Sequence, residues 1–155
     1  MTTDHSTDVK EIVFVASAKE DFNALPEPVK VEARAAFTAL QNGRPLPPER
    51  FKTLSGNNKL KGVAEIRVNA EDGNTYRVYE LVIYKEVIYV LEAGAKKSPR
   101  GGEIPQQDIT RLEKRKAAAE ADYKANKPHY QKGFDARERR RALIEATKTK
   151  RRTYS

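Results

Sequence analysis

Between residues 63 and 95 three strand-forming runs, "VAEIRVNA", "TYRVYELVIY" and "VIYVLEAGA", are separated only by "EDGN" and "KE". Parallel neighbours need a crossover of a dozen or more residues, so connections this short leave antiparallel pairing as the only option. Asp-Gly in the first connection is a strong hairpin signal, and "KE" between two apolar runs permits a second tight turn. The runs are rich in Val, Ile and Tyr, which suit a pleated, half-buried surface. A three-stranded meander is therefore the frame to which the rest of the chain must fit.

Ahead of it, "EIVFVA" (residues 11–16) is a short β-branched and aromatic run that reads as another strand. From Ala18 the period changes. Phe22, Leu25, Val29, Ala33, Ala36, Phe37 and Leu40 recur at steps of three and four, Pro26 and Pro28 divide a short helix from a longer one, and Gly43 offers a left-handed cap. After the meander, "PQQDITRLEKRKAAAEADYKAN" begins with Pro105 near a helix start and spaces Ile109, Leu112 and Tyr123 to touch a sheet. The order β-α-α-β-β-β-α predicts an α+β fold: a small antiparallel sheet with an N-terminal helical hairpin and a C-terminal helix.

Charge divides the chain. Of its 30 Lys and Arg and 22 Asp and Glu, residues 124–155 hold 11 basic and 3 acidic residues, which accounts for the whole net charge of +8 and leaves 19 of each sign in residues 1–123. Three regions follow: a flexible N-terminus (1–9), a domain (10–123) and a basic extension (124–155). The extension contains a helix-compatible run, "DARERRRALIEATK", but Phe134, Leu143 and Ile144 are thin apolar content, so its order is expected on binding. Arg139, Arg140 and Arg141 there are candidate RNA contacts. Without cysteine there is no thiolate metal site, disulfide or cysteine nucleophile. The polar start lacks signal-peptide character, and the apolar runs are too short or are broken by Lys85 and Glu86, so the chain is expected to be cytoplasmic, with no membrane contact.

Alternate strand residues share a face. This groups Glu65 with Arg67, Arg77 with Tyr79 and Leu81, Tyr76 with Val78, and Glu92 with Gly94 and Lys96, with Lys97 following. In a meander Arg67, Arg77 and Lys96 can converge, with Lys59 and Lys61 at the rim and Arg100 beyond. The competing reading is exposed strand cations paired with Glu65, Glu80 or Glu92, and tyrosines serving only as sheet packing.

The run "LKGVAEIRV", then "GNTYRVYELVIY", then a strand ending in "KKS" before "PQQDI", resembles the RelE/HigB superfamily of toxins, in particular the phage Gp49-like branch, over roughly residues 10–123. The resemblance implies a RelE-like fold and a type II toxin, neutralised by a cognate antitoxin (a helix-turn-helix protein encoded nearby), that cuts messenger RNA on the ribosome and inhibits translation as a metal-independent endoribonuclease needing no cofactor. Such cleavage needs a base for the 2′ proton, cations for the charge building at phosphorus, and an acid for the leaving oxygen. Arg67 and Arg77 suit the charge, Lys96 and Lys97 suit phosphate or proton exchange, and Tyr76 suits base stacking or proton donation. The only histidines are His5 and His129, so the base falls to Glu92 or a lysine. The alternatives are a non-catalytic RNA- or ribosome-binding module with the same fold, or a phage-derived interaction protein.

Overall fold

The computed structural model describes residues 8–54, 56–95 and 104–153. The meander is formed by β3 (Val63–Asn69), β4 (Thr75–Leu81) and β5 (Val87–Ala95). Two further strands extend it. β1 (Glu11–Phe14) pairs in parallel with β5, and β2 (Phe51–Thr53) pairs antiparallel with β3, giving a five-stranded mixed sheet in the order β1-β5-β4-β3-β2. β2 has too few residues for a period to emerge from the sequence.

β4 ends three residues before the apolar run does. Val82 N–H donates to the Gly62 carbonyl, and Tyr84 turns away to stack on Tyr123 with ring centroids 3.7 Å apart. Gly62 is required at this crossing: its φ is +88°, and a Cβ there would lie 2.3 Å from Ile83 Cγ2.

Each face of the sheet has its own core. α1 (Ala18–Asn23) and α2 (Glu27–Gln41) cover one face, where Phe22, Leu25, Val29, Ala33 and Phe37 pack on Ile66, Val68, Val78 and Val90. α3 (Gln106–Thr153) covers the other, where Leu112, Ala119 and Tyr130 pack with Leu60, Val63, Leu81, Tyr89 and Leu91. Layers of this kind around one sheet make an α+β fold, consistent with a RelE-like architecture. Among the described residues no helix is long and apolar enough to cross a membrane.

The boundary drawn at residue 123 from charge falls inside α3. The helix bends at Asn126 (φ −121°), two residues before Pro128, which has no N–H to donate back along the helix. Beyond the bend the extension is helical, and its partner is the domain itself. Tyr130 and Phe134 are buried, Arg137 Nε donates to the Val9 carbonyl at 2.8 Å, and Arg141 Nη1 donates to Asn42 Oδ1 at 3.3 Å. At the bend, Asp122 accepts from both Tyr89 and Tyr130, while Glu86 accepts from Tyr123 at 2.9 Å. Burial, reinforced by the hydrogen bond to Asp122, pushes the Tyr130 hydroxyl up to about 12, so it remains a donor at ordinary pH.

Deleting residues 128–155 removes two buried aromatic side chains and is expected to lower stability by about 3 kcal/mol or more. Deletion from residue 149 onward removes basic residues without touching that core and should leave the urea midpoint unchanged. Equal midpoints for the two truncations would refute a structural role for the extension.

Candidate nucleic-acid interface

Strand register gathers the candidate side chains into two rows on the α3 face. In one row Lys52, Glu65, Tyr79 and Glu92 stand opposite one another across β2, β3, β4 and β5. In the other, Arg67 stands opposite Arg77, and Arg77 opposite Gly94. Arg50 continues this row at the β2 end, where Arg67 N–H donates to its carbonyl at 2.8 Å. Like charges directly opposite destabilise a sheet. Buried Glu65 offsets this: its Oε1 lies 3.2 Å from both Arg67 Nη2 and Arg77 Nε.

A cleft of about 270 Å³ opens where β4, β5 and the first turns of α3 meet, lined by Arg77, Tyr79, Glu92, Gly94, Ala95, Asp108, Arg111 and Arg115 among others. Asp108, Arg111 and Arg115 project to it because positions three and four apart share a helix face. Arg111 is held by Glu92 through Nε and by Asp108 through Nη2 at 2.6 Å. The hydrogen bond to Glu92 raises its already high pKa further, keeping the guanidinium charged. Arg115 ties three elements together: Nη1 donates to the Leu91 carbonyl at 2.7 Å, Nη2 to Ser17 Oγ at 2.8 Å, and Asp21 and Glu92 lie 3.4 and 3.7 Å away. The turn that delivers Ser17 puts Ala16 at φ +50°, a conformation few non-glycine residues adopt.

Arg77 differs from these. It is 7% exposed, yet its Nε, though near Glu65, is not aligned for a hydrogen bond, and Nη1 makes a single long bond of 3.5 Å to the Tyr79 hydroxyl. Its remaining donors have no acceptor among the described residues. A buried guanidinium with unsatisfied donors at the wall of a cleft is disposed to receive an anion with paired oxygens. Burial raises the pKa of the neighbouring Tyr79 hydroxyl, so it stays protonated and able to donate.

The residues singled out from sequence are distributed unevenly. Arg77 and Glu92 line the cleft, and Arg67 stands beside it. Tyr76 lies on the opposite face against the helical hairpin, its hydroxyl donating to Asp72 at 3.2 Å; strand alternation takes it away from the arginines. Lys59 and Lys61 are exposed at the 3₁₀ turn Asn58–Leu60 and line none of the described cavities. Lys96, Lys97 and Arg100 lie outside the described residues. Arg139, Arg140 and Arg141 lie beyond the bend of α3, in a stretch docked beside the start of β1 through Arg137 and Arg141, and β5 runs from that end to the cleft over about 27 Å. His129 is exposed there beside Tyr130.

Acidic side chains accompany the cations on this face. Among the described residues Glu65 serves Arg67 and Arg77, and Glu92, Asp108 and Asp21 serve Arg111 and Arg115. No three His, Cys, Asp or Glu side chains among the described residues come together as a metal site requires. The sequence reading did not include Arg111, Arg115 or Asp21; the spacing of Asp108, Arg111 and Arg115 was the available signal.

Residues 20–117 match the family described as phage-derived protein Gp49-like. The match spans every residue that lines the cleft and leaves the distal part of α3 outside. No curated protein matches the chain.

Proposed function

Since the chain belongs to the phage-derived Gp49-like family, a branch of the RelE/HigB-like toxins, we propose that it is the toxin of a type II toxin-antitoxin pair, an endoribonuclease that binds ribosome-associated messenger RNA and arrests translation. The observation that carries this reading is Arg77, buried at the cleft wall with donors unspent.

In the proposed reaction the RNA 2′-oxygen attacks the adjacent phosphorus and the bond to the 5′-oxygen breaks. Arg77 donates to the phosphate oxygens as their charge grows, with Arg67 adding to the field from the next strand. The 2′ proton passes to Glu92 or to one of Lys96 and Lys97, and the Tyr79 hydroxyl supplies a proton to the leaving oxygen. A helix-turn-helix antitoxin would neutralise the toxin. Glu92 is also the residue that favours a second reading. Bound by Arg111 and near Arg115, it acts as a counter-ion, as it would in an RNA- or ribosome-binding module without chemistry.

Induced expression in a bacterial host is expected to halt growth and protein synthesis, and primer extension on a reporter message should show new 5′ ends only while that message is translated. Arrest with intact messages would select the binding module. Normal growth with intact messages would reject both.

A further inference from the structure

The arginine row does not end at the cleft. Arg67 lines a separate cavity of about 250 Å³ at the β2 edge together with Arg50, Lys52 and Phe51, and the carboxylates of Glu49 and Glu65 line it as well, so three cations there face two acids. Lys52 stands opposite Glu65 and therefore on the face that carries the cleft. Three cations thus converge at the β2 edge. Two of them are weakly committed: Arg50 reaches Glu32 only at 3.9 Å, between exposed side chains, and Lys52 has no partner among the described residues, whereas Arg67 donates to buried Glu65 through both Nε and Nη2. Exposed pairs of this kind contribute little to stability.

We propose that this second cavity is a subsite for another phosphate of the same single-stranded RNA, whose backbone crosses the sheet from the Arg77 cleft over β4 and β3 to the β2 edge. The inference rests on the reading of the cleft given above and extends it to the path of the substrate. Strands two apart are separated by about 10 Å, and stacked nucleotides advance about 3.4 Å each along one strand, so the second phosphate lies about three nucleotides from the first. Two guanidiniums and an ammonium match phosphate oxygens in charge and in donor geometry. Because backbone contacts of this kind read no base, the subsite would add affinity and register without sequence preference.

The test uses the full chain, the double variant Arg50→Ala with Lys52→Ala, and Arg77→Gln. The probes are two fluorescent 2′-O-methyl RNAs, which cannot be cut: a dinucleotide with one phosphate and a pentanucleotide. Arg50 and Lys52 are exposed, so the double variant should melt with the wild type. It should bind the pentanucleotide about 10-fold more weakly, with the slope of log affinity against log salt reduced by about 0.7, the value for one single-strand phosphate contact. Its affinity for the dinucleotide should be unchanged, whereas Arg77→Gln should weaken both probes. Undiminished pentanucleotide binding by the double variant, with Arg77→Gln still impaired on both probes, would overturn the subsite and leave the cleft reading standing. Equal loss on both probes would mean a general field effect and would also overturn it. Arg77→Gln without effect on either probe would overturn the cleft reading and the subsite with it.

Discussion

On the proposed endoribonuclease reading, Arg77→Lys should lower single-turnover cleavage of ribosome-bound message by about 100-fold or more while shifting the melting temperature little. Lysine keeps the positive charge beside Glu65, which is 3% exposed and needs a cationic partner. What it loses is the planar fork. In the wild type that fork lies with one edge toward Glu65 and donors left over at the cleft wall, and an ammonium cannot hold both a carboxylate and two phosphate oxygens in that geometry. Removal of one donor aimed at developing oxyanion charge typically costs 10²- to 10³-fold in rate. Arg77→Ala should show the same kinetic loss together with a drop in stability, because Glu65 is then left to half-exposed Arg67 alone. If Arg77→Lys cut normally, the phosphate role would belong elsewhere on the face. If melting and cleavage fell together in both variants, Arg77 would be a structural residue.

The meander and the helical hairpin were legible because each rests on a local rule: a two-to-four-residue connection forces antiparallel pairing, and a three-and-four repeat forces a helix face. Residues 87–95 were read as a strand and form β5 to the residue. Alternation also placed Glu65, Arg67, Arg77 and Tyr79 on one face. The same alternation sets Tyr76 on the other, so its nomination for the site ran against the pattern that located its neighbours. What alternation cannot supply is the partner. That Glu65 would lie between Arg67 and Arg77, and that Glu92 would be taken by Arg111 from a helix 19 residues away in sequence, depends on how α3 lies across the sheet. The docking of the extension on the domain was not legible for a related reason. Counting Leu143 and Ile144 made its apolar content thin, yet Leu143 is 70% exposed, and the docked face consists of Tyr130, Phe134 and the stems of Arg137 and Arg141 at steps of three and four. Long basic side chains can bury their stems while their head groups bond, which a count of apolar residues overlooks.

Glu80 was weighed as a counter-ion for the arginines, and the fold gives it a different character with a large expected effect. It stands opposite Ala64 on one side and Val90 on the other, where the β4–β5 register shifts. It is fully buried, neither carboxyl oxygen has a hydrogen-bond partner, and burial pushes its pKa from the ordinary 4.5 up to about 8. The native state therefore keeps this proton where the unfolded chain has lost it. Stability attached to that proton is fully present below about 4.5 and is lost as pH rises toward 8, at about 1.4 kcal/mol per pH unit, on the order of 4 to 5 kcal/mol in all. Above about 8 both states are ionised and the loss levels off. Glu80→Met keeps the volume and removes the titration, so the variant should exceed the wild type in stability by a margin that grows with pH. Urea unfolding of the two proteins at pH 5 and pH 8.5 measures this directly, and the gap between them should widen by about 4 kcal/mol from the lower pH to the higher. A gap that stayed constant over that range would mean that Glu80 is ionised in the native state throughout, stabilised by a partner that the buried geometry of β4 does not supply.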